Sequence, residues 1–137
     1  MLSAKEIAID RMLKNDAFSI WLGINVLEIK KGYCIAEMTV RDEMTNGFKI
    51  AHGGITYSFA DSAFAFASNS QGKHAVSLET SISHLKKVES GDILTAVAKE
   101  INLTQKTGLY QIEIHNQYQE LVAQFKGIVY RKSQDWI

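Results

Sequence analysis

The chain has 137 residues, of which 46% are hydrophobic and 22% are charged, and its fifteen basic residues balance fifteen acidic ones. This length and composition predict one globular domain over residues 1–137, and the balanced charge gives no sign of binding to nucleic acid or to a membrane surface. The single cysteine, Cys34, rules out a disulfide framework, and no apolar run is long enough for a membrane span, so we expect a cytoplasmic protein.

The first predicted element is a short amphipathic helix over residues 3–14. Ser3 and Glu6 have the spacing of a capping box, and apolar residues follow at roughly helical spacing. Residues 18–22 are expected to add one further turn. The apolar period then changes to two, which predicts a β-hairpin that turns at Gly32.

A central helix is predicted over about residues 54–70, after a His-Gly-Gly turn. Apolar side chains cover nearly every side of it, which is typical of a buried helix. One carboxylate, Asp61, lies in the middle of this apolar part. An ionised aspartate is costly in such a place unless it is paired, hydrogen-bonded or used in chemistry. Asp61 is therefore the most informative residue of the sequence.

Four β segments follow this helix and are predicted over residues 75–85, 93–103, 109–118 and 121–131. Because no helical pattern separates them, we expect them to pair as an antiparallel meander. The order of elements favours an α+β fold, in which a curved antiparallel sheet of about six strands wraps round one central apolar helix. Such a sheet leaves its edges exposed, so the chain is expected to form homo-oligomers.

The start of the central helix could form an oxyanion site. Gly53 and Gly54 have no side chains to keep a substrate carbonyl away, and the N–H groups of a first helical turn favour a developing negative charge. Alternatively, the two glycines simply make the turn into the helix. The glycine pair taken alone favours this second interpretation.

Asp61 also has two interpretations. It could be a structural carboxylate, or it could be a general base or nucleophile with a tuned pKa. It lies roughly 12 Å from the start of the helix at 1.5 Å per residue, so it cannot easily serve the oxyanion site of its own chain. A second copy packed alongside could bring it there. Asn46 precedes a glycine, which is a turn signal in itself, although its amide could orient a water or a carbonyl group.

Other classes of site lack their motifs. The four histidines, at positions 52, 74, 84 and 115, show no metal-ligand spacing, and we expect neither a metal nor a cofactor. The absence of a nucleophile elbow, a Walker A loop and a dinucleotide-binding glycine motif disfavours serine hydrolases and nucleotide-dependent enzymes. Some basic residues near predicted strand ends could meet phosphates: Lys86, Lys87, Lys106, Arg131 and Lys132.

The motifs together resemble those of one family, the hotdog-fold acyl-CoA thioesterases of the phenylacetic-acid-pathway (PaaI) type. The resemblance covers roughly residues 20–131. It lies in five segments: Asn46-Gly47, His52-Gly53-Gly54, Ala60–Ala65, Asn69–Gly72 and Ser90–Ala96.

This resemblance implies hydrolysis of an acyl-CoA to a free acid and CoA. Asp61 would activate water or attack the thioester directly, and the sequence leaves these two mechanisms open. The N–H of Gly53 would hold the thioester oxygen. Asn46, from the chain opposite to Asp61, would orient the thioester or the attacking water.

The resemblance also implies residues that bind the substrate and an assembly. His52 and Gly54 would lie at the thioester end of the site, and Ser77 matches a position that helps to place water in some relatives. Such enzymes pair two protomers through a continuous sheet with two shared active sites, and two dimers commonly form a tetramer. A homodimer with shared sites and a homotetramer are therefore expected.

Phe48 and Ile50 stand where relatives more often carry small polar residues, so the acyl pocket could differ from that of the namesake enzyme. An aromatic or medium-length acyl group is the expected substrate. Two alternatives stay open: a non-catalytic module that binds acyl-CoA or another small ligand, and a hydratase that acts on enoyl thioesters. Retention of Asp61 favours catalysis over binding alone.

Overall fold

The computed structural model describes residues 1–137, and its first helical segment begins with the capping box that the sequence predicts. The amide of Glu6 donates to Oγ of Ser3 at 3.1 Å, and the amide of Ser3 donates to Oε1 of Glu6 at 3.0 Å. The segment continues as a π-helix over Glu6–Met12 and ends in a 3-10 turn over Leu13–Asn15.

The predicted further turn is a short α-helix, α1, over Ala17–Leu22. Asp16 caps it, because its side chain accepts a hydrogen bond of 3.0 Å from the amide of Ser19. Gly23 ends it in a left-handed conformation with φ of 77°, which a residue without a Cβ adopts readily.

The remaining elements are one long helix, α2 over Gly53–Asn69, a 3-10 turn over Asp42–Met44 and six strands. The strands are β1 Asn25–Lys30, β2 Tyr33–Thr39, β3 Lys73–His84, β4 Ile93–Leu103, β5 Thr107–His115 and β6 Leu121–Asp135. They form one antiparallel sheet in the order β1-β2-β4-β5-β6-β3.

The predicted meander of four strands is wrong for its first member. Only β4, β5 and β6 follow one another as neighbours, whereas β3 pairs with β6 at the far edge of the sheet. The reason is that α2 packs across several strands and carries the chain from the β2 side of the sheet to the opposite edge. The chain then returns, and β4 pairs with β2.

The core lies between α2 and the sheet. The Phe64 ring of α2 packs edge-on against Tyr110 of β5, with a centroid distance of 5.8 Å, and lies 5.4 Å from the ring of Phe125 of β6. The same ring lies on the backbone of β6, because a Cβ added at Gly127 would come within 2.6 Å of it. A glycine at position 127 is what allows this approach.

The sequence predicts a central helix that is apolar on nearly every side, but the structure differs. Gly54 and Asp61 are exposed, and Ser58 and Ala65 are half-buried, so small and polar residues recur at helical spacing along one stripe. Because the sheet covers only the opposite face of α2, Asp61 is exposed in the single chain, and the prediction of a buried carboxylate is wrong here. None of the helices has the length and apolar character needed to cross a membrane.

Candidate active site

The first turn of α2 presents one free backbone amide. His52 is the N-cap, and its Nδ1 accepts a hydrogen bond of 2.8 Å from the amide of Gly54. The amide of Ile55 donates to the carbonyl oxygen of His52 at 2.9 Å. The amide of Gly53 donates no hydrogen bond within the chain. Of the two candidate glycines, therefore, only Gly53 has an N–H free for a ligand, at the positive end of the helix dipole.

A cavity of about 370 Å³ lies beside this turn. Gly53 and Asn46 both line it, so the structure brings these two predicted residues together. Ile50 and Val88 supply apolar walls, and Lys86 lies among the polar lining residues. A cleft with apolar walls and a few converging polar groups is the usual form of a small-molecule site.

Asn46 forms the turn that its Asn-Gly sequence predicts. Its Oδ1 accepts a hydrogen bond of 2.9 Å from the amide of Phe48, and its backbone amide donates to the carbonyl oxygen of Ile50 at 2.8 Å. The Nδ2 group has no partner within the chain and is available to a ligand in the cavity. The structural and functional interpretations of Asn46 are thus compatible, since Oδ1 forms the turn and Nδ2 is left without a partner.

His84, near the end of β3, also lines this cavity, and sequence reasoning missed it. Its Nε2 lies 3.3 Å from the position that a Cβ on Gly53 would occupy. His84 has no metal-ligand spacing to another histidine and lies in none of the five motif segments, so no pattern in the sequence indicates it. No three His, Cys, Asp or Glu side chains come together as a candidate metal site.

Asp61 does not line the cavity that holds Gly53 and Asn46. It follows Gly53 by eight residues on the same helix, which is about 12 Å along the axis. Its carboxylate makes no ion pair and accepts no hydrogen bond within the chain. Within one chain, the candidate carboxylate and the candidate oxyanion donor are therefore separate.

The surroundings of Asp61 nevertheless favour its neutral form. Although the side chain is exposed, the protein around it removes part of its hydration, which raises its pKa above the ordinary value, and the negative charge of Asp16 raises it further. A chain of hydrogen bonds fixes this second carboxylate, because Asp16 accepts from Oγ of Ser19 at 2.6 Å and that oxygen lies 2.8 Å from Oγ of Ser62. A carboxylate with a raised pKa is a stronger base once it has ionised.

Ser77 is exposed on β3, where it pairs with Val129 of β6. It does not line the cavity, and its side chain makes no hydrogen bond within the chain. The single chain therefore does not bring Ser77 to Gly53, just as it does not bring Asp61 there.

Two lysines stand at the cavity, and each is held by a carboxylate. Nζ of Lys86 lies 2.5 Å from Glu120, and the pKa of Glu120 is lowered because Lys86 and Asn116 donate hydrogen bonds to it. Nζ of Lys87 lies 3.3 Å from Glu89. The mouth of the cavity thus carries cationic groups that are partly neutralised and exposed to solvent.

One chain therefore holds the donors for an oxyanion but no carboxylate beside them. The amide of Gly53, the Nδ2 group of Asn46 and the ring of His84 can all face a carbonyl group placed in the cavity. No aspartate or glutamate lines this cavity.

Comparisons with known proteins bear on this site. Residues 48–123 match the family model of the thioesterase superfamily. A putative esterase of Archaeoglobus fulgidus is 46% identical over 127 residues, which are 93% of this chain and 82% of that protein. The acyl-coenzyme A thioesterase PaaI of Escherichia coli is 43% identical over 120 residues, which are 88% of this chain and 86% of that protein.

Solved structures also match most of this chain. The structure of E. coli PaaI, from the phenylacetic acid degradation operon, matches with a TM-score of 0.93 at 39% identity and covers 96% of each chain. A Streptococcus mutans protein solved with bound acetyl-CoA matches with a TM-score of 0.80 at 26% identity, over 82% of this chain and 91% of that one.

Proposed function

The chain belongs to the thioesterase superfamily and is a thioester hydrolase with the hotdog fold, and from this premise we propose that it hydrolyses an aromatic or medium-length acyl-CoA. One observation carries the proposal. The amide of Gly53 is free at the N-terminus of α2, and Gly53 lines a cavity with apolar and polar walls. A donor in this position suits the oxygen of a thioester, on which negative charge develops during hydrolysis.

In the proposed reaction, the N–H of Gly53 binds the thioester oxygen and Asn46 orients the thioester or the attacking water. Asp61 of a second chain acts in one of two ways. As a general base it takes a proton from water while the water oxygen attacks the carbonyl carbon; the C–S bond then breaks, and the CoA thiolate takes up a proton. As a nucleophile it forms a mixed anhydride and expels CoA, and water then hydrolyses the anhydride.

The second chain is proposed to be another copy of the protein. The strand β3 pairs only with β6, so its other edge is open to a neighbouring strand. Its side chains Val76 and Leu78 are 46% and 61% exposed, and a neighbouring chain at this edge would cover them. Two β3 edges that pair antiparallel would give a continuous sheet and a homodimer with two shared sites, and two dimers would give a tetramer.

The remaining residues are proposed to bind the substrate. His52 fixes the turn at the thioester end, Gly54 completes that turn through its bond to His52, and Ser77 is proposed to help place the water. Lys86 and Lys87 stand where they can meet the phosphates of CoA. Residues 1–137 are proposed to form one catalytic domain, because Ala8 of the N-terminal segment packs into the main core. The protein is proposed to act in the cytoplasm.

The experiment that tests the function measures CoA release from a panel of acyl-CoAs. The variants are the wild type, Asp61→Ala and the control Asp10→Ala, which removes an aspartate from the N-terminal helix. Loss of a positioned acid or base commonly costs about 10²–10⁴-fold in rate, and that loss is expected for Asp61→Ala alone. Equal rates in all three proteins would overturn the role of Asp61. Saturable binding without turnover on every thioester would instead indicate a binding module.

A further inference from the structure

We propose that His84 is a second catalytic donor, whose Nε2–H binds the same thioester oxygen as the amide of Gly53. This inference rests on the proposed function and adds a residue to it. The histidine and the glycine come from different elements, the end of β3 and the start of α2, and they meet at the cavity.

The two residues lie close together. A Cβ on Gly53 would lie 3.3 Å from Nε2 of His84, 3.6 Å from Cε1 and 4.0 Å from Cδ2. Of the ring atoms, Nε2 lies nearest to this position. An oxygen bound by the amide of Gly53 would sit about 2.9 Å from the Gly53 nitrogen, and we place it in the cavity that Gly53 and His84 both line.

The backbone holds His84 in place while its ring is free. His84 pairs with Ala123 of β6, and the amide of the next residue, Leu85, donates to the carbonyl oxygen of Val122 at 2.9 Å. The imidazole itself makes no hydrogen bond and no ion pair within the chain. The backbone of His84 is therefore fixed in the sheet, while its imidazole nitrogens are available to a ligand.

The other three histidines have different surroundings. His52 is engaged as the cap of α2. His74 stacks on Trp136, with a centroid distance of 4.0 Å. His115 lies 4.0 Å from Glu113 and does not line the cavity. Only His84 presents an unengaged ring beside the free amide of Gly53.

The neighbouring cations are less suited to this task. Lys86 and Lys87 are each paired with a carboxylate, Glu120 and Glu89. A ring nitrogen next to the glycine can strengthen its hydrogen bond as charge develops on the oxygen, which lowers the barrier of the chemical step rather than the affinity for the ground state.

The test compares His84→Phe, which keeps a ring but no donor, with His84→Gln, which keeps an N–H at similar reach. His115→Phe is the matched control. We expect His84→Phe to lower kcat by about 10- to 1000-fold with a KM close to the wild-type value, as removal of one oxyanion donor does. His84→Gln should recover at least about a tenth of the wild-type kcat, and His115→Phe should match the wild type.

Several outcomes would overturn the inference. Wild-type kcat in His84→Phe would exclude a donor role, and so would an equal loss in His84→Phe and His84→Gln. If His84→Phe does not fold, judged by its thermal unfolding, His84→Ala and His84→Gln make the same comparison. The proposed function fails separately, because in that case the wild type releases no CoA or Asp61→Ala releases it equally fast.

Discussion

Nδ1 of His52 accepts the hydrogen bond of the Gly54 amide at 2.8 Å, and this leaves the neighbouring amide of Gly53 as the free donor of the turn. The side chain of His52 thus determines which of two adjacent N–H groups has no partner within the chain. It also fixes the direction in which the first turn of α2 begins, because an N-cap restricts the backbone that follows it.

The substitution His52→Ala is therefore expected to affect both stability and catalysis. Loss of the cap should cost about 1 kcal/mol in the free energy of unfolding. The freed amide of Gly54 and the looser turn should lower kcat by about tenfold, because small displacements of a donor reduce catalysis steeply. Urea unfolding and CoA release measure the two effects. His52→Asn supplies another capping oxygen and should recover most of the stability; a loss equal to that of His52→Ala would contradict the capping role.

The substitution Gly53→Ala should separate activity from stability. A methyl group there would lie 3.3 Å from Nε2 of His84 and would crowd the space proposed for the thioester oxygen. Alanine is the better helix former, so the melting temperature should stay equal or rise. We expect kcat to fall by about 10- to 100-fold, measured together with thermal unfolding. Wild-type turnover in a folded Gly53→Ala protein would show that the oxygen does not bind at this amide.

Local sequence patterns predicted most of the fold. The capping box of Ser3 and Glu6, the hairpin around Gly32 and the α+β class are all confirmed, because each rests on hydrogen bonds or periods that are local in sequence. The family resemblance and the thioesterase class are confirmed as well. The position of β3 beside β6 was not predicted, because it depends on the edge of the sheet at which α2 ends, and this is a property of the tertiary fold.

The site was harder to predict for the same reason. Asn46 and Gly53 lie close in sequence and form one cavity, as their motif suggests. His84 approaches Gly53 only through the tertiary fold, and no spacing in the sequence predicts this contact. The exposure of Asp61 was mispredicted because an apolar helix pattern does not say whether the sheet or a second chain covers each face. The roles of His52, Gly54 and Ser77 in binding substrate stay predictions.

Gly127 offers a test of the core that is independent of the active site. A Cβ at this position would lie 2.6 Å from the ring of Phe64, so Gly127→Ala overpacks the contact between β6 and α2. We expect a loss of about 1–3 kcal/mol in the free energy of unfolding, measured with urea. The double variant with Phe64→Leu should lose less than the sum of the two single losses, because the smaller side chain makes room. Additive losses would show that the two residues do not clash.

The raised pKa of Asp61 predicts a defined pH profile. The value of kcat/KM should fall as the pH drops through this pKa, above the ordinary value of about 3.9, because the protonated carboxyl group can neither accept a proton nor attack. Asp16→Asn keeps the cap of α1 but removes the neighbouring charge, so it should move the acid limb to lower pH. The control Asp10→Asn should leave the limb in place, and an unmoved limb in Asp16→Asn would contradict the electrostatic link.

The same shift predicts an effect on stability. A carboxyl group whose folded pKa is raised binds more protons in the folded state, so its contribution to stability falls as the pH rises from the unfolded pKa through the folded one. Asp61→Asn should therefore be more stable than the wild type at neutral pH, and the difference should vanish below about pH 3.9, where both states are protonated. Thermal unfolding at both pH values measures this. An Asp61→Asn protein that is less stable at neutral pH would mean that the ionised carboxylate has a stabilising partner.

Complementation tests whether Gly53 and Asp61 act from different chains. Alone, Gly53→Ala is expected to keep about 1–10% of the wild-type kcat, and Asp61→Asn about 1% or less. In a dimer that contains one chain of each kind, one site would combine Gly53 of the first chain with Asp61 of the second and would be wild type, while the other site would carry both changes. Random co-assembly should then restore about a quarter of the wild-type activity, since about half of the dimers are mixed and half of their sites are intact. The measurement is CoA release by the co-expressed proteins. The control is a mixture of the two variants that were expressed separately, under conditions in which their subunits do not exchange. If both residues served the same site within one chain, every site would carry one defect, and co-expression would restore nothing.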